Sequence, residues 1–319
     1  MSYPRHHIVP AGESGYFHCI SRCVRRAFLC GDDPYSGQSF EHRKQWVEDR
    51  LHELATIFAV GVYAYAVMRN HVHVVAYVAP QIAATWSAEE VAERWLRLCP
   101  VRCGKVVDQD ATAIKASHIA GDPVQVARYR ERLASLPWFM RCLNEPIARR
   151  ANREDACTGR FWEGRYRCQA LLDETAVIAC MAYVDLNPIR AGIAQDLRSS
   201  EHTSIRRRLQ HVGASTLLSP VAGCAAHTLG ISAIQYVDLV DWTGRQPRPD
   251  KRGSIPGNSP KALQTIGLTP EAWRAEVLTI ETRYWRAVGS LQALLDKARS
   301  MGQRWLKGVG LKRSCVRCS

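Results

Sequence analysis

The sequence predicts an α+β domain built on a largely antiparallel sheet, and three observations carry that prediction. Strand-like stretches recur at residues 16–26, 60–68, 71–79 and 164–172, the first and last of them with alternating faces. Segments with helical spacing lie between them. Residues 60–68 and 71–79 read as a strand pair that meets at Arg69-Asn70, a polar pair short enough to close a hairpin.

Local pattern accounts for each element in turn. Residues 16–26, YFHCISRCVRR, set Phe17, Cys19, Ser21 and Cys23 on one side of an extended chain. EHRKQWVEDRLHELATIFA then carries Val47, Leu51, Leu54, Ala55 and Phe58 at helical spacing, with charges between them. In MRNHVHVVAYV, residues 68–78, Val72, Val74 and Ala76 point one way while His71, His73 and Val75 point the other. Two imidazoles therefore converge on one surface of a strand. Residues 87–99, 123–135 and 138–152 read as helices, and GRYRCQALL at 164–172 returns to alternation. DETAVIACMAYVDLNP follows as a helix with Asp173 as N-cap, Glu174 in its first turn and Pro188 as its stop. Val177, Cys180, Met181 and Val184 make its inward stripe, while Tyr183 and Asn187, four residues apart, share another face.

Composition bounds the class of protein. An apolar fraction of 46% in 319 residues suffices for a substantial core. No run approaches the roughly 18 apolar residues of a membrane span. The opening MSYPRHHIVPAGESGYF lacks the apolar stretch of an export signal, so the cytoplasm is the expected compartment and the twelve cysteines read as reduced thiols. A net charge of +13 suits a partner rich in phosphate. Residues 1–200 read as the core, with about 80–160 as a long helical insertion in it. After residue 200 the chain turns basic and turn-prone: Arg206, Arg207, Arg208, Arg245, Arg248, Lys251 and Arg252 fall in RSSEHTSIRRRLQH and GRQPRPDKRGSIPGNSP. Residues 201–319 are thus expected as a basic, largely helical extension, either an appendage that binds nucleic acid or a solvated surface that aids solubility. Cys315 and Cys318, with Cys99 and Cys103 as imaginable partners, lack the second closely spaced pair that marks a zinc site.

The chemistry-bearing residues each admit two readings. A His-x-His on a strand offers two neutral imidazoles to a divalent cation, or is simply hydrogen-bonded on a sheet face. Tyr183 beside Asn187 is a nucleophile one turn from a third ligand, or a half-buried phenol and a helix-ending amide. Arg165, Arg167 and Gln169 alternate onto one face, with Trp162 and Tyr166 nearby. They grip phosphate and stack on a base, or they form an ordinary solvated sheet face with core aromatics.

Taken together, RNHVH, GRFWEGRYR at 159–167 and YVDLNPIRAG at 183–192 resemble the HUH single-tyrosine transposases, and within them the REP-associated tyrosine transposase group. The resemblance spans roughly residues 1–200 and implies a ferredoxin-like antiparallel sheet flanked by helices. It implies cleavage and rejoining of single-stranded DNA at a hairpin or palindromic repeat. By the same likeness His71, His73 and Asn187 hold Mg²⁺ or Mn²⁺, and Tyr183 attacks phosphorus to leave a 5′-phosphotyrosine and a free 3′-hydroxyl. Arg69, Asn70, Arg165, Arg167 and Gln169 become the DNA contacts. No nucleotide cofactor is expected, since the covalent link conserves the phosphodiester energy, and a monomer is favoured over a dimer. The 80–160 insertion departs from compact members of the family. Two other readings stay open: a DNA-binding regulator that no longer cuts, and a metal-dependent phosphohydrolase without a covalent step.

Overall fold

The first alternating stretch forms strand β1 (Gly15–Arg22), and the amphipathic segment after it forms α1 (His42–Ile57), which buries Val47, Leu51, Leu54 and Ala55. β2 (Val60–Val67) and β3 (His71–Val78) make the expected hairpin, closed where Met68 N–H donates to the His71 carbonyl at 2.9 Å. The computed structural model from which these elements are taken describes residues 7–24, 29–32, 37–211, 217–245, 260–283 and 286–309.

Five helices and a small hairpin fill the insertion: α2 (Pro80–Thr85), α3 (Ala88–Leu98), β4 (Arg102–Cys103), β5 (Val106–Val107), α4 (Gln109–Ala120), α5 (Pro123–Leu133) and α6 (Leu136–Glu154). Ser87, Asp108 and Asp122 cap α3, α4 and α5 by accepting from backbone amides of the first turn. Pattern reading misses α4 because its apolar residues spread around the helix and it buries only Ile119. Pro146 sits inside α6 and has no N–H to give the Cys142 carbonyl, which Arg50 Nε takes instead at 3.1 Å.

β6 (Arg167–Leu171) leads into α7 (Glu174–Asp185), where Asp173 caps as expected, accepting from Ala176 N–H at 2.9 Å. Pro188 does not stop the helical path, contrary to the sequence expectation. Leu186 keeps helical angles, φ −86° and ψ −7°, and Pro188 takes the first turn of a short α8 (Asn187–Arg190), where a missing N–H costs nothing. The chain continues through α9 (Ser204–His211), β7 (Leu217–Leu218), β8 (Ala222–Gly223), β9 (Leu229–Ser232), α10 (Ala233–Arg245), α11 (Lys261–Thr265), α12 (Pro270–Arg283), β10 (Ala287–Val288) and α13 (Leu291–Ser300).

Among the described residues the main sheet runs β10-β6-β1-β3-β2-β8, antiparallel except for the β10–β6 pair. Helices cover both faces. On one, Tyr65 donates to Glu48 of α1 at 2.5 Å and Asn144 of α6 donates to Ser21 at 2.8 Å. On the other lie α7 and α12, with Gln169 Nε2 donating to the Ile280 carbonyl at 3.4 Å. Double coverage explains why β2 is buried at every position although it pairs antiparallel.

Both edges of this sheet come from residues after 200. β8 pairs with β2 and β10 with β6, so the expected extension contributes strands to the core sheet. Gly223, at φ +89°, permits the closest crossing, since a Cβ there would collide with the Val60 carbonyl. Arg208, expected among the basic residues of a DNA-binding surface, is 7% exposed, and it donates to the carbonyls of Tyr63 at 2.7 Å and Ser219 at 2.9 Å. That corrects its role to structural. Arg248, Lys251, Arg252, Cys315 and Cys318 lie outside the described residues. Cys99 and Cys103 are exposed, and no disulfide forms among the described residues. No described helix is long and apolar enough to cross a membrane.

The end of α7 is held by a buried carboxylate. Asp185 accepts from Ser204 Oγ, from Ile205 N–H at 3.0 Å and from Tyr236 Oη at 2.6 Å, which ties α7 to α9 and α10. Asp185→Ala strands two buried donors, Ile205 N–H and Tyr236 Oη, at about 1–3 kcal/mol each, while Ser204 Oγ keeps the Tyr65 carbonyl at 3.3 Å, so a loss of about 2 kcal/mol or more is expected in urea unfolding. A loss under about 1 kcal/mol would show that the network does not hold the helix end.

Candidate active site

Register across three strands assembles the site. Directly opposed residues of an antiparallel ladder share a face, and the pairs are Arg22 with His71, Ile20 with His73, Ile20 with Arg167 and His18 with Gln169. His71 and His73 therefore stand on one face together with His18, Arg22, Arg167 and Gln169. The His71 and His73 ring centroids are 4.7 Å apart, with planes at 79°. α7 crosses this face and brings the Tyr183 ring edge-on to His73 at 5.8 Å and to His18 at 6.3 Å. Because the helical path continues through Leu186, Asn187 stays beneath Tyr183, and its Nδ2 lies 3.0 Å from His73 Nε2.

His18 is the residue that the sequence reading passed over. It is fully buried, with Nε2 2.9 Å from His73 Nδ1 and Nδ1 3.0 Å from Gln169 Oε1. Its ring lies nearly parallel to that of His73, at 14°. The signal available was its place opposite Phe17 and Cys19 in the alternation of 16–26, but only the register with β3 gives it a partner.

Burial keeps these imidazoles neutral. It lowers His18 to about 4 and His73 well below the ordinary value, and burial with the nearby Arg22 charge lowers His71 to about 4. His71 Nδ1 donates to Asn70 Oδ1 at 2.6 Å, which leaves the lone pair on Nε2. Beside His71 opens a cleft of about 420 Å³ lined by Ile20, Arg22, Glu163, Gly164, Arg165 and Arg167. Three guanidinium groups around one cleft suit an anion such as a phosphodiester.

The donor set fits a divalent cation. Nε2 of His71 and of His73 are basic nitrogens, and a half-turn of the Asn187 carboxamide would exchange its NH₂ for Oδ1. Among the described residues no three His, Cys, Asp or Glu side chains gather to hold a metal ion, and the further polar side chain beside His73 is the Asn187 amide.

The other expected contacts divide. Arg165 and Arg167 line the cleft, and Asn70 orients His71. Arg69 is exposed with its side chain over Gly31, outside that lining. Gln169, expected at the DNA surface, is fully buried and committed to His18 and Ile280, which corrects that expectation. Tyr166 is only 7% exposed, too little to stack on a base, and Trp162 is pinned by its indole N–H to the Asn144 carbonyl at 2.8 Å.

No family model matches the chain, and no curated protein does. A solved structure of a REP-associated tyrosine transposase bound to a REP hairpin is distantly similar, over 73% of this chain and 96% of that one, at 12% identity and a TM-score of 0.35.

The neutral imidazoles give folding a pH signature. Unfolding returns His18, His71 and His73 toward 6.5, so between about pH 6.5 and 4 the unfolded chain binds more protons and stability falls as pH falls. Asp185 opposes this, because burial raises it to about 6 and the folded carboxyl keeps a proton that the unfolded chain, near 3.8, releases. Three imidazoles outweigh one carboxyl, and unfolding at pH 5 should take up about two protons. Urea unfolding at pH 7, 6 and 5 should show steadily lower stability, whereas a flat or rising profile would mean that the site is charged in the folded state.

Proposed function

We propose that this chain is a DNA strand transferase that cleaves and rejoins single-stranded DNA through a 5′-phosphotyrosine, in transposition or repeat mobilisation. The observation that carries the reading is the convergence of Tyr183 and Asn187 on His73, side chains from elements far apart in sequence. The motif resemblance supplies the reaction type. The strand order β6-β1-β3-β2, with crossovers through α1 and through α2 to α6, supports the ferredoxin-like sheet that the resemblance implies.

His71, His73 and the Asn187 carboxamide would hold Mg²⁺ or Mn²⁺, and a cation bound there supplies Lewis-acid polarisation of the scissile phosphate. Tyr183 Oη forms the new bond to phosphorus while the bond from phosphorus to the 3′-oxygen breaks, and the phenolic proton ends on that oxygen. Edge-on packing against His73 and His18 restricts the Tyr183 ring before substrate arrives, which lowers the entropy lost on alignment. Arg22, Arg165 and Arg167 neutralise phosphates beside the reacting one. The phosphodiester energy stays in the covalent link, so rejoining needs no nucleotide cofactor. In this reading the chain acts as a monomer on a hairpin in the cytoplasm, associated with the nucleoid. Residues 1–200 carry the reacting groups, and the basic residues after 200 other than Arg208 add DNA affinity.

The test is covalent capture. With Mn²⁺ and a panel of single-stranded hairpins labelled 3′ of candidate scissile bonds, the chain should form a denaturant-stable adduct. Tyr183→Phe should lose the adduct and keep hairpin binding, while His71→Ala and His73→Ala should slow cleavage by at least about 100-fold. An adduct on another residue such as Tyr166 would contradict the choice of nucleophile. Cleavage by Tyr183→Phe without adduct would favour the phosphohydrolase, and hairpin binding with no cleavage would favour the regulator.

A further inference from the structure

Both ring nitrogens of His73 face named partners, so its tautomer is set by them. The chain of contacts starts at Gln169, whose Nε2 donates to the Ile280 carbonyl of α12 and whose Oε1 faces His18 Nδ1 at 3.0 Å. A carboxamide oxygen only accepts, so His18 Nδ1 carries the proton. His18 is buried and neutral, which leaves its Nε2 bare, 2.9 Å from His73 Nδ1. His73 Nδ1 must then be the donor, and His73 Nε2 keeps its lone pair toward Asn187 and Tyr183.

The opposite arrangement fails at its far end. Placing the proton on His73 Nε2 makes His73 Nδ1 an acceptor and His18 Nε2 a donor, and His18 Nδ1 then loses its proton facing Gln169 Oε1. Turning Gln169 over to repair that contact brings its oxygen against the Ile280 carbonyl. Each step sets two acceptors against each other among buried side chains, at about 1–3 kcal/mol. The Ile280 carbonyl thus gives the whole relay its direction.

We infer that His18, anchored by Gln169, is a positioning residue that holds His73 as the Nδ1–H tautomer and aims its Nε2 lone pair at the face shared with Tyr183 and Asn187. A ligating histidine elsewhere relies on such a bond to its remote nitrogen, and loss of the partner weakens metal binding by about 10- to 100-fold. The use of that lone pair for Mg²⁺ or Mn²⁺ rests on the proposed function, but the tautomer does not.

The experiment is ¹⁵N-histidine NMR of the full chain at pH 7, with His73 assigned by difference from His73→Gln. The expected spectrum has His73 protonated at Nδ1 and bare at Nε2. His18→Leu should release His73 to a mixed tautomer and weaken Mn²⁺ binding by about 10- to 100-fold in calorimetry. His18→Gln, which restores an acceptor, should keep the tautomer and bind Mn²⁺ within about threefold of the parent chain. A parent spectrum with His73 protonated at Nε2, or an unchanged tautomer in His18→Leu, overturns the assignment. A chain that binds no Mn²⁺ yet shows the expected tautomer, lost in His18→Leu, supports the positioning role and contradicts only the metal reading.

Discussion

A neutral imidazole at the centre of a sheet must have both nitrogens bonded, and the burial of His73 imposes that demand on everything around it. His18 of β1 meets one nitrogen and Asn187 of α8 the other. His18 in turn needs Gln169 of β6, and Gln169 needs the Ile280 carbonyl of α12. One ring therefore recruits partners from each end of the fold. The same constraint separates the two histidines of the motif, since His71 remains half-buried at the cleft while His73 is locked. Two imidazoles in one short motif perform different tasks.

Placement of α7 is the second dependency. Its far end carries Tyr183 and runs directly into Asn187, and between them Asp185 points the other way into a buried cluster with Ser204 and Tyr236. Residues after 200 thus brace the helix that holds the candidate nucleophile. α12 packs along the same helix and supplies the carbonyl that orients Gln169. This arrangement makes the later part of the chain structurally continuous with the site, whatever its surface charge contributes to DNA affinity.

Periodicity made much of this legible. The hairpin at Arg69-Asn70, the cap at Asp173 and the shared face of Tyr183 and Asn187 follow from patterns of two and of 3.6 that operate within a few residues. The features it missed all depend on distant contacts. His18 is an unremarkable polar position in an alternating strand until β3 is laid beside it in register. Gln169 and Arg208 look like surface residues because side-chain type cannot reveal that α12 or β2 will cover them. Pro188 reads as a stop because a proline's missing N–H breaks a helix interior, and it serves instead as the first turn of the next. Arg22 joins the cleft beside His71 only through the pairing of β1 with β3, which lies beyond local pattern.

The central claim is that His71, His73 and Asn187 form one cation site beneath Tyr183. Anomalous diffraction from crystals grown with Mn²⁺ tests it directly. The account predicts a single strong peak bonded to Nε2 of both histidines, with the Asn187 carboxamide reversed so that Oδ1 faces the ion. A peak bonded elsewhere, or the Asn187 nitrogen still on His73 with no peak beside it at saturating Mn²⁺, would contradict it.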